Sequence, residues 1–317
     1  MSAPSVSHPV SRRAVLGALG AAAALAVVGC SGRDDDDADG DGPEAEPGST
    51  EVLAYGDESP LQVGALTLPA DAPTAEDLEG SAFEGLPVVV LVHGGFWRAG
   101  YDRSLMDPLA RSVAAQGWAA WNIDYRPIGE GGGWPTTFSD VAAAVDHLDT
   151  IADDLILDRD RVAVVGHSAG GTLALWSGAR AGLPAGVPGA DPAVRPVAVV
   201  SQAGVANLAA AAIDGLGQGA AADLMGGQPT GEAGEAYLYA SPIERLPLGS
   251  AVHQLLVHGT DDAIVPIVQS ETYAARAADA GDEVRLEPVD GGDHFVVIDP
   301  DGPAWPPVLE LLADRLA

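Results

Sequence analysis

The chain has 317 residues, 47% hydrophobic and 19% charged, and its 46 acidic residues face 15 arginines with no lysine at all. The resulting formal net charge of −31 repels nucleic acid and anionic headgroups, so no nucleic-acid partner is expected. Cys30 is the only cysteine, which excludes an intramolecular disulfide. Two readings of this composition stand side by side: codon usage in a high-GC genome, and adaptation to high salt.

The chain opens on a targeting segment. Arg12 and Arg13 precede an alanine-rich apolar stretch over 14–28, too short for a stable membrane span, which ends in Val27-Val28-Gly29-Cys30. The arginine pair resembles a twin-arginine export signal, and the end of the stretch resembles a bacterial lipobox. That resemblance implies a signal peptide over 1–29, lipidation of Cys30, and an exported protein anchored to the outer face of the cell membrane. Several acyl chains, each contributing about 0.8 kcal/mol per buried CH₂, would hold it there. The alternative is an ordinary signal peptide with an incidental cysteine. Residues 30–50 are Gly, Asp, Glu, Pro and Ser with almost no apolar content. They bury too little to offset ordering entropy and predict a disordered tether, extended by its own charge. The aspartates at 34–37, 39 and 41 lack the spaced Gly and terminal Glu of a calcium loop, so no metal is expected.

Residues 51–317 predict one α/β domain. Apolar runs over 87–92, 118–123, 161–165, 196–201, 254–257 and 283–287 predict strands, and 138–151, 171–176, 273–280 and 307–316 predict helices. This alternation argues a mostly parallel sheet with helices on both faces. The stretch 207–248, rich in Gly and Ala and broken by Pro229, Pro242 and Pro247, interrupts it.

One pentapeptide carries chemistry. Gly166-His167-Ser168-Ala169-Gly170 sits between a predicted strand and a predicted helix and reads as G-x-S-x-G, a serine on a strained turn at a helix N-terminus. Its partners should follow as acid, then histidine. Three histidines remain downstream: His253, His258 and His294. His253 begins a strand-like run and His258 ends it, which suits structural roles. His294 lies in the loop Asp290-Gly291-Gly292-Asp293-His294-Phe295, free to approach a serine and to be oriented by a carboxylate.

Together these motifs resemble the α/β-hydrolase superfamily, specifically its esterase, lipase and arylformamidase-like branch. His93-Gly94-Gly95-Phe96-Trp97 resembles the oxyanion loop, Gly166–Gly171 the nucleophile elbow, His258-Gly259-Thr260-Asp261-Asp262 the H-G-x-x-D loop, and Gly292-Asp293-His294-Phe295 the histidine loop. The resemblance implies an α/β-hydrolase fold with a small cap at about 207–248. It implies Ser168 as nucleophile, Asp262 rather than Asp261 as acid, His294 as base, and an oxyanion hole from Gly94, Gly95 and Ala169, with the Phe96 N–H as a further donor. It calls for no metal and no organic cofactor. Phe96 replaces the third glycine of the lipase pattern and points to arylformamidase-like and carbohydrate-esterase-like members. The expected activity is cleavage of small-molecule carboxylic esters through an acyl-serine. The alternatives are an amidase acting on N-formyl aryl substrates, acyl transfer to an alcohol, and a non-catalytic binding lipoprotein. Tyr125-Arg126-Pro127 resembles the segment supporting the oxyanion loop, with Arg126 read as structural. Trp97 and Trp134 read equally well as pocket lining and as core.

Overall fold

The structure, a computed structural model, describes residues 48–73 and 85–317. The twin-arginine segment, Cys30 and the acidic stretch up to residue 47 lie outside the described residues. The end of the predicted tether is already part of the sheet edge: the Gly48 N–H donates to the Leu68 carbonyl at 3.0 Å, and the first strand begins at Thr50.

Eight strands form one sheet: β1 (Thr50–Ala54), β2 (Val63–Thr67), β3 (Leu86–Val92), β4 (Ala119–Ile123), β5 (Leu157–His167), β6 (Ala198–Gln202), β7 (His253–Gly259) and β8 (Val284–Val289). Their order is β1-β2-β4-β3-β5-β6-β7-β8. β1 and β2 are antiparallel to their neighbours, and every pairing from β4 through β8 is parallel. β8 pairs only with β7 and forms one edge. The expected mostly parallel sheet is present. The antiparallel pair β1–β2 has no counterpart in the predicted strands, because its runs are only five residues each and show no clear alternation.

Continuous apolar strands fit a sheet covered on both sides. In β3, Val88, Val90 and Val92 enter one core while Val89 and Leu91 enter the other. The first core is closed by α2 (Thr136–Leu155), α3 (Ala169–Ala179) and α7 (Val268–Ala280), through side chains such as Phe138, Leu173 and Tyr273. The second is closed by α1 (Asp107–Ala115) and α8 (Pro306–Arg315), through Leu109, Val113, Val308 and Leu312. Every residue of α3 is buried. Between β6 and β7 the Gly/Ala-rich stretch forms three short helices, α4 (Leu208–Ile213), α5 (Leu216–Met225) and α6 (Gly231–Ala240). Among the described residues, no helix is long and apolar enough to cross a membrane.

Arg126 is structural. Its backbone N–H, Nε and Nη2 donate to Asp140 at 3.0, 2.8 and 2.6 Å, and Gln62 Nε2 donates to the same carboxylate at 2.8 Å. These bonds lock the segment after β4 to α2 and to the turn before β2. Asp140 is 1% exposed, so its removal leaves a cation without its buried partner. The Asp140→Ala variant is expected to lose about 3–5 kcal/mol of stability, measured by urea denaturation.

Candidate active site

Four chain segments leave the C-terminal ends of β3, β5, β7 and β8 on the same side of the sheet, where an open α/β sheet places its chemistry. They carry, in that order, the His93–Trp97 loop, Ser168, Asp262 and His294.

Ser168 sits between β5 and α3 at φ 54° and ψ −117°, backbone that an L-residue adopts only under constraint. The constraint is crowding. A Cβ at Gly166 would lie 2.1 Å from the Gly170 carbonyl oxygen, so only glycine lets the chain double back this tightly. The Ser168 N–H donates to the Gln202 carbonyl of β6 at 2.7 Å, and its own carbonyl accepts from Gly171 N–H at 2.9 Å.

The loop after β3 is pressed against this turn. A Cβ on Gly94 would lie 3.0 Å from Ser168 Cβ. Trp97 Nε1 donates to the Ala169 carbonyl at 3.1 Å, and Phe96 and Trp97 both adopt φ 57°. Tyr125 stacks on the His93 ring at 4.3 Å, and its hydroxyl donates to the His93 carbonyl at 3.1 Å. Among the described residues, the N–H groups of Gly94, Gly95, Phe96 and Ala169 donate to no protein acceptor. That of Ala169 opens α3, where the helix dipole adds positive potential.

Asp262 and His294 meet directly. His294 Nδ1 lies 2.6 Å from Asp262 Oδ2, while Asp262 Oδ1 accepts from the Ile264 and Val265 N–H groups, each at 2.8 Å. Asp261, the alternative acid, points to solvent. Burial pushes the Asp262 carboxyl up, but hydrogen bonds from His258, His294 and Val265 outweigh it and hold the group well below the usual carboxylate range. The acid is therefore ionised at neutral pH. The bonds of His294 are to Asp262 and, through its carbonyl, to His167. A bond to the Ser168 hydroxyl is not among them, and pairs of this kind tighten in the substrate complex.

Two histidines support the pair. His258 is fully buried; its Nδ1 lies 2.7 Å from Ser270 Oγ, and its Nε2 lies 2.8 Å from the Val265 carbonyl and 3.3 Å from Asp262 Oδ2. It stays on the strand end and braces the acid's loop. His167 Nε2 lies 3.0 Å from the His294 carbonyl, so the residue before the serine holds the histidine loop over it. The sequence marks both positions, as the first histidine of H-G-x-x-D and the x of G-x-S, but a one-letter motif does not tell which way a ring points.

Trp97 lines a tight cleft beside Ser168, whereas Trp134 packs edge-on against Phe138 at 5.1 Å and lies away from it. The far wall of the cleft comes from the β6–β7 insertion, through Ala211, Leu216, Gly217, Ala220 and Ala221. Among the described residues, no three His, Cys, Asp or Glu side chains converge as a metal site would require.

Burial, and then the nearby His294, lower the His167 pKa from 6.5 to about 3. The unfolded chain takes up a proton on this ring below 6.5 and the folded chain does not, so the contribution of this ring to folding stability rises with pH between about 3 and 6.5 and is level above. The His167→Gln variant is expected to remove about one proton from this dependence, ~1.4 kcal/mol per pH unit, read from urea denaturation across the acid range.

The BD-FAE family matches residues 79–276, a span that includes Ser168 and Asp262 and stops short of His294. Esterase LipC of Mycobacterium tuberculosis is 30% identical over 235 residues, 71% of this chain and 54% of LipC. The probable carboxylic ester hydrolase LipM of the same organism is 28% identical over 200 residues, 62% of this chain and 45% of LipM. The chain thus spans about half the length of the curated relatives it matches. Among solved structures, a truncated carbohydrate esterase from gut microbiota superposes with a TM-score of 0.70 at 19% identity, covering 86% of this chain and 98% of that one. The thermophilic esterase Est2 of Thermogutta terrifontis gives a TM-score of 0.64 at 22% identity, covering 84% and 91%. These structures share the sheet and helix layers described above. The family match extends from before β3 into α7, across three of the four strand ends that converge on the cleft, and the chain accordingly belongs to the BD-FAE family with an α/β-hydrolase fold.

Proposed function

We propose that this protein is a serine carboxylesterase that cleaves esters of small, apolar acyl groups through an acyl-serine. The observation that carries the reading is the 2.6 Å Asp262–His294 pair, set beside a strained serine and a cluster of N–H groups without protein acceptors. Ser168 Oγ attacks the ester carbonyl as His294 Nε2 takes its proton. Ionised Asp262 fixes the Nδ1–H tautomer and stabilises the imidazolium. The oxyanion is met by the N–H groups of Ala169 and of the Gly94–Phe96 segment, each such donor lowering the barrier by about 2.7–4 kcal/mol. The tetrahedral intermediate collapses, His294 returns the proton to the departing alcohol, and water activated by the same histidine releases the acid.

The acyl side of the reading rests on the cleft. Its lining is almost wholly apolar and the cleft is tight, which favours small, apolar acyl groups. LipC and LipM bear esterase names, which agrees with ester hydrolysis. Ser168→Ala is expected to lower kcat/KM on p-nitrophenyl acetate by at least about 10⁴-fold and to abolish labelling by a fluorophosphonate. Retained turnover would overturn the assignment.

The cellular setting belongs to the same proposal. The Arg12-Arg13 pair and the Val28-Gly29-Cys30 context support export and lipid anchoring at Cys30. Cys30→Ser is expected to move the protein from the membrane fraction to the soluble exported fraction, and an unchanged membrane fraction would reject the anchor.

A further inference from the structure

The wall of the cleft opposite Ser168 is made by backbone in an unusual state. Gly215, Gly217, Gln218 and Gly219 all adopt left-handed conformations, with φ of 66°, 59°, 59° and 81°. Three of the four are glycines, which accept this region readily; Gln218 is not, and its side chain points to solvent without a bond to offset the strain. Within the insertion, backbone of this kind holds its place only when something outside holds it.

Arg98 is that restraint. It follows Trp97 in the oxyanion loop, and its guanidinium donates to the Gly217 carbonyl at 3.2 Å, to the Gln218 carbonyl at 3.1 Å and to Asp223 Oδ2 at 2.7 Å. Gly217 also sits flat on the Phe96 ring; a Cβ there would lie 2.5 Å from Phe96 Cδ1. The left-handed segment is thus seated on Phe96 of the His93–Trp97 loop and clamped by Arg98, the residue just after it. Leu216 and Gly217, within it, line the same cleft as Ser168.

We infer that Arg98 sets acyl-chain length: by clamping Gly217–Gly219 it holds the far wall of the acyl cleft shut, and releasing the clamp admits longer linear acyl groups. This rests on the proposed esterase activity. The clamp is partly open to solvent, with Arg98 and Asp223 side chains 32% and 55% exposed, so added salt weakens it. Short acyl groups leave the wall untouched, whereas a long chain must displace it. The discrimination lies in substrate binding and appears mainly in KM.

The test compares p-nitrophenyl decanoate with p-nitrophenyl acetate in the wild type, Arg98→Gln and Asp223→Asn. Both variants are expected to raise the decanoate-to-acetate ratio of kcat/KM by about tenfold. Asp223→Asn is expected to keep acetate turnover at the wild-type level. Rising salt should increase the ratio in the wild type and leave it level in Asp223→Asn. An unchanged ratio in Asp223→Asn, with fluorophosphonate labelling intact, would overturn the clamp and leave the esterase reading standing. A wild type that neither hydrolyses acetate nor takes the label would remove the esterase reading, and the clamp with it. Should Arg98→Gln fail to fold, the surface variant and the salt series still decide.

Discussion

The structure of the site depends on one close approach of backbone to backbone. Where β3, β5 and the start of α3 meet, a Cβ at Gly170 would lie 2.0 Å from the Val92 carbonyl oxygen, and one at Gly94 would lie 3.0 Å from Ser168 Cβ. No side chain fits between these segments. Their contact presses the serine into backbone that costs about 1–3 kcal/mol, strain held in place by the buried sheet on one side and the fully buried α3 on the other. The same contact sets the Gly94–Phe96 segment, whose N–H groups meet no acceptor among the described residues, against the turn at Ser168. The turn that carries Ser168 and the loop pressed against it are therefore products of a single packing constraint.

Charge in the site is handled differently from charge on the rest of the molecule. The surface is overwhelmingly acidic, while Asp262 is buried and compensated by two imidazoles and two backbone N–H groups. Elsewhere, eight of the twelve described arginines are paired with carboxylates. Arg126 engages Asp140, Arg103 engages Asp124 and Arg180 engages Asp146. With no lysine in the chain, every permanent side-chain cation is a guanidinium, whose planar fork suits such pairing.

Much of this was legible in the sequence, for physical reasons. The strands of the parallel core announced themselves as unbroken apolar runs, because both faces are covered. The strand-to-helix turn at Ser168 was legible from its glycines and His294 from its loop after a strand end, whereas Asp262 was preferred to its neighbour Asp261 only through the resemblance to the H-G-x-x-D loop. The β1–β2 pair was not legible, since each strand is only five residues long, β1 is an exposed edge, and β2 is interrupted by Gly64. The helices of the insertion were hidden by glycine and proline, which weaken the helical signal even where packing imposes helix. The partners of His258 and His167 were hidden for another reason: a motif records which residue is present, and only the folded backbone determines what its ring touches.

The histidine loop hangs from β8, the edge strand, which has one hydrogen-bonded neighbour and a half-exposed face. Edge elements open locally at free energies below that of global unfolding. The Asp262–His294 bond spans β7 and β8, so it parts whenever that edge opens, while β3, β5 and α3 keep the serine in its strained turn. On the proposed mechanism, proton transfer therefore depends on the edge of the sheet, whereas the turn that carries Ser168 depends on its buried centre.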